Sequence, residues 1–151
     1  MNTNEGEKKM KKLIPIFAGV FLLTLGLFVQ AATAQDQEVD VGRLIKQLEE
    51  DSDRFSNSAT KALDKSEYDG TAREDELIRA VRGYEDSIDK LKNGYDNNRD
   101  STYENAKVVQ AKSIAIDKWL KNHSLGAEVA TDWGTVKATL LRLKALVKEP
   151  K

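Results

Sequence analysis

Cysteine is absent from this chain, histidine occurs once, and both methionines lie within the first ten residues. Without Cys there are no disulfides, and a single domain must hold together through its core. Covalent haem attachment through C-x-x-C-H is excluded on the same ground. A Met/His axial pair fails as well, since no Met follows Met10, which leaves only His123 or a tyrosine as a haem ligand. The di-iron chemistry of helical bundles needs inward glutamates and two Glu-x-x-His pairs. Here Leu120 stands three residues before His123, and the apolar stripes contain no glutamate. Also missing are Gly-x-Ser-x-Gly, a glycine-rich phosphate loop and a second histidine to assist the first. These absences predict a protein that is not an enzyme and carries no cofactor.

Charge is nearly balanced, at 24 Lys+Arg against 25 Asp+Glu, but the ends of the chain differ. Leu13–Val29, "LIPIFAGVFLLTLGLFV", is uncharged, preceded by Lys8, Lys9, Lys11 and Lys12 and followed by Ala32-Thr33-Ala34. A basic start, an apolar middle and a small-x-small exit describe a signal peptide over 1–34, with Met10 as an alternative start. The alternative is an inner-membrane anchor over 13–29, which Pro15, Gly19 and Gly26 weaken. Removal of 1–34 takes four lysines and two glutamates and leaves 20 bases against 23 acids in 35–151. The expected product is exported to the periplasm or beyond. It lacks the basic excess of a nucleic-acid binder, and after cleavage it has no means of stable membrane insertion.

From Gln35 onward, apolar residues recur at steps of three and four, the spacing that keeps one helix face on a partner. Leu77, Val81, Tyr84, Ile88, Leu91 and Tyr95 form the most regular stripe. Ala106, Val109, Ser113, Ile116 and Leu120 form another, and Val129, Trp133, Val136, Leu140, Leu143 and Val147 a third. The first stripe opens on Val41, Leu44, Ile45 and Leu48, meets Asp51 and Ser52, and resumes on Phe55, Ala59, Ala62 and Leu63. The acidic run Glu49-Glu50-Asp51-Ser52-Asp53 reads as a solvated face. No stretch alternates in the manner of a strand. The pattern predicts an all-α, up-down-up-down antiparallel four-helix bundle with helices near 38–66, 72–95, 101–122 and 127–148.

The breaks have their own chemistry. Thr71 with Glu74, and Ser101 with Glu104, match the capping box, in which each side chain satisfies the other residue's backbone N–H. Asp96, Asn98 and Asp100 fit the first ligand positions of a calcium loop, but Ser101 and Lys107 occupy the places of its Gly and Glu. That segment reads as a plain connection, and no metal site is expected.

One constellation follows from topology. Phe55, Ala59 and Ala62 should lie at the same end of the bundle as Trp119, His123 and Trp133. Small residues facing indoles describe complementary packing. The same set also describes a partly open apolar pocket with His123 at its rim.

"DRFSNSATKALDKSEYDGT", "YEDSIDKLKN", "AIDKWLKNHSL" and "DWGTVKATLLRLKAL" together resemble a group of uncharacterised exported bacterial proteins. The resemblance rests on Asp53-Arg54-Phe55, Ile116-Asp117 and Asp132-Trp133, and it implies an exported helical domain without implying an activity. The expectation is therefore an exported structural or protein-interaction module. A ligand-binding bundle using the Trp119/His123/Trp133 end and a membrane-tethered helical domain are the alternatives. An unknown protein partner fits this reading, and the stripes leave monomer and dimer both open.

Overall fold

In the computed structural model the backbone is described over 28–149 and the side chains over 40–149. Most of the expected signal peptide over 1–34, and of the alternative anchor over 13–29, lies outside the described residues. Four helices follow one another: α1 Phe28–Leu63, α2 Ala72–Asn97, α3 Thr102–Asn122 and α4 Ala127–Leu146, with a 3-10 turn at Arg99–Ser101. There is no strand among the described residues. None of the described helices is long and apolar enough to cross a membrane.

Contacts between side chains close the helices into a ring. Lys92 of α2 reaches Glu49 of α1, and Trp119 of α3 donates from Nε1 to the Arg73 carbonyl at the start of α2. Asp117 of α3 meets Lys137 of α4, and Thr139 of α4 donates to Asp51 of α1. A second pair on each interface gives the direction: Gly42 lies against Tyr95, Asn105 reaches Lys90, Gln110 shares a cleft with Lys144, and Phe55 packs on Trp133. Position falls on one helix as it rises on its neighbour, so the bundle is antiparallel. The expected apolar stripes supply the interior: Leu48, Phe55, Leu77, Tyr84, Leu91, Val109, Ile116, Val136 and Leu143 are fully buried.

Helix ends show where local chemistry decides. α1 begins ten residues ahead of the expected start, because nothing in "VQAATAQDQEVD" breaks a helix. It stops at Leu63, where Ser66 Oγ donates to the Leu63 carbonyl and accepts from the Tyr68 N–H. A serine that satisfies backbone groups in this way competes with the helix. Thr71 caps α2 by accepting from the Glu74 N–H, and Glu74 in return accepts from Gly70, one residue earlier than a strict capping box. The second expected box does not form. Ser101 has helical dihedrals and makes no side-chain cap, because the 3-10 turn runs directly into α3. Its Oγ instead donates to the Asn98 carbonyl. Gly126 caps α4 at φ +95°, a conformation that disfavours any residue with a Cβ.

A further correction concerns the acidic run. Glu50 and Asp53 face solvent, but Asp51 is 1% exposed and Ser52 is 2% exposed. Both continue the seam of α1 inward between Leu48 and Phe55. The Asp51 carboxylate takes a 2.6 Å hydrogen bond from Thr139 on one oxygen and the Arg54 guanidinium on the other. Thr139→Val keeps the shape and removes the donor, so urea unfolding should show a loss of about 1.5–3 kcal/mol. Thr139→Ser should recover most of it.

Candidate functional site

The six residues expected at one end separate into two aromatic groups. Phe55 packs on Trp133 with ring centroids 4.8 Å apart, and Tyr84 meets Trp133 edge-on at 5.7 Å. Trp119 lies 4.4 Å from His123, with Tyr68 edge-on to both at 5.5 and 5.4 Å. Tyr68, in the α1–α2 turn, was not anticipated; it lies outside every apolar stripe. Ala59 is buried and Ala62 is half-buried. No ring contact among the described residues joins Trp119 to Trp133.

Both indoles are buried with their N–H groups satisfied, Trp119 by the Arg73 carbonyl at 3.0 Å and Trp133 by Asp117 Oδ1 at 3.3 Å. His123 ends α3, and its Nδ1 lies 2.9 Å from the Trp119 carbonyl. A carbonyl can only accept, so Nδ1 carries the proton and Nε2 keeps the lone pair in the neutral ring. Of the six residues, only His123 and Trp133 line a shallow cavity of about 230 Å³, shared with Leu120, Leu125 and Val129.

Asp117 sits on the wall of that cavity as an electrostatic knot. Lys121 at 2.7 Å, Lys137 at 3.0 Å and the Trp133 indole hold its carboxyl at about 2, against the opposing effect of partial burial.

Charge is divided between the two helical hairpins, a feature that counting over the whole chain concealed. Residues 40–100 hold 16 acids and 11 bases, whereas 101–151 hold 5 acids and 9 bases. Among the described residues, the large apolar side chains left exposed all belong to the basic half: Val108, Ile114 and Leu141, the last two 64% and 69% exposed. Gln110 and Lys144 line a cleft of about 330 Å³ between α3 and α4, and Asp117 binds Lys137 across the same seam. Ile114 shares the stripe of Gln110 and Asp117, and Leu141 that of Lys137 and Lys144. Both exposed side chains therefore flank one seam.

At the α1–α2 turn, ligand atoms of Asp64, Asp69 and Glu74 come within 4.8 Å of one another. Glu74 is engaged there in capping α2, which accounts for the grouping. Comparison of the chain with protein-family models, curated proteins and solved structures finds no match.

Two outcomes follow. Trp133→Ala removes the centre of the Phe55/Tyr84 group and should cost about 3–5 kcal/mol in chemical denaturation. The lowered carboxyl of Asp117 contributes stability that is complete above the unfolded value near 3.9 and disappears as pH falls toward about 2. Asp117→Asn should flatten the melting temperature across that window and lower stability at neutral pH by about 1 kcal/mol, allowing for solvent screening.

Proposed function

We propose that this is an exported, non-enzymatic helical module that binds an acidic protein partner along the α3/α4 seam. One observation carries the reading: exposed Ile114 and Leu141 flank the α3/α4 seam, whose cleft is lined by Lys107 and Lys144, on the half of the bundle with excess positive charge. Apolar anchors surrounded by like charges suit a partner segment that is apolar in the middle and acidic at its edges. Export rests on the basic, apolar and small-x-small succession of 1–34. The resemblance to exported bacterial proteins in the Asp53-Arg54-Phe55 and Asp132-Trp133 segments points the same way. His123 and Asp117 act as structural groups in this reading, since each is held by neighbours inside the fold.

A second reading, small-ligand binding at the other end, draws on the cavity that His123 and Trp133 line. Native mass spectrometry of freshly isolated protein separates it from the first by the presence of a bound small molecule.

A photo-reactive side chain in place of Leu141, in the native host, tests the main proposal. The expected result is a discrete adduct to an acidic peptide, lost when Ile114→Glu or Lys144→Glu is added. No adduct, or equal adducts from the exposed Lys46 position on α1, overturns it.

A further inference from the structure

The opposite hairpin has a groove of another kind. Glu49 and Asp53 of α1 are four residues apart, as are Glu85 and Asp89 of α2, and all four line a cavity of about 250 Å³ with Ser52 and Ile88. Carboxylates at this spacing repel along each helix, and here two such pairs come together across the α1/α2 interface. Burial and the nearby Asp53, Asp89 and Asp86 raise the Glu85 carboxyl above its usual range, although a hydrogen bond from Ser56 opposes them. Asp53, Glu85 and Asp89 make no ion pair among the described residues.

Two observations say what the groove would accept. Ser52 is 2% exposed, lines the cavity, and has a hydroxyl with no hydrogen-bond partner. A buried hydroxyl left unmatched is a place for a donor or acceptor from outside the chain. At one end Lys92 places its ammonium on both oxygens of Glu49, at 2.8 and 2.7 Å. An alkylammonium therefore fits this surface, and the chain already supplies one. A single metal ion fits poorly: among the described residues, only Asp64, Asp69 and Glu74 bring three carboxylates close enough to share one.

We infer that the α1/α2 groove binds a linear aliphatic polyamine. One ammonium is drawn toward the Ser52 hydroxyl at the floor of the groove, the others pair with Asp53, Glu85 and Asp89, and the methylenes between them span the rim from α1 to α2. This site is on the acidic hairpin and does not rest on the α3/α4 reading.

Calorimetric titration of the purified full chain with spermidine at low salt tests the inference. The expected isotherm is saturable with one site, and amide shifts in a parallel NMR titration centre on Ser52 and Ile88. Asp53→Asn with Asp89→Asn should weaken binding at least about tenfold, while Glu128→Gln, an exposed acid on α4, leaves it unchanged. Ser52→Ala should weaken it less, and circular dichroism checks its fold. The inference is overturned by any of three results: no saturable heat at millimolar spermidine, unchanged affinity in the double variant, or displacement by equimolar magnesium.

Discussion

A carboxylate inside a helical bundle constrains everything packed around it. Asp51 is out of contact with water, and its two oxygens are met from different directions by Thr139 and Arg54. A buried charge deprived of such partners is strongly destabilising, so the pairing of α1 with α4 tolerates little sliding. One residue of slip would part the carboxylate from the threonine hydroxyl. Tyr84 shares this interior: burial and the nearby Asp51 charge drive its phenol well above its usual range, so the ring stays neutral. An apolar seam alone would permit several registers of similar energy; a single interior carboxylate distinguishes among them.

The helical stripes were legible because a 3-4 repeat has only one way to become dry. Leu77 through Leu91 and Val129 through Leu143 occupy the interior as their spacing required. What composition obscured, phase could have revealed. Asp51 and Ser52 fall where the α1 seam must pass between Leu48 and Phe55, yet their polarity argued for solvent. The burial of Asp51 is matched by Thr139, 88 residues away, and no local window contains that information. The start of α1 was harder to read for the opposite reason, since a run without a breaker has no natural edge. Ser101 had the right chemistry for a cap but the wrong backbone, because the 3-10 turn before it was already helical.

At the aromatic end, topology brought the named residues to one region without resolving how they pair. Trp133 turned toward Phe55 and Tyr84, while Trp119 turned toward His123 and Tyr68. The hydrogen bonds of the two indoles decide this, one to a backbone carbonyl and one to Asp117. Neither acceptor belongs to an apolar pattern. The acidic groove was likewise invisible to spacing along one helix, since it exists only where two i, i+4 pairs face each other. Close approach of helices adds a similar constraint: a Cβ on Gly94 would run into the Asn105 side-chain amide of α3.

The separation of charge between the hairpins gives the molecule an electrical direction. Acid excess on 40–100 and base excess on 101–151 form a dipole across the bundle, although the whole carries little net charge. In the field of a charged surface such a body experiences a torque before it touches anything. Diffusing toward an anionic neighbour, it would turn its last two helices forward, so that most encounters begin already oriented.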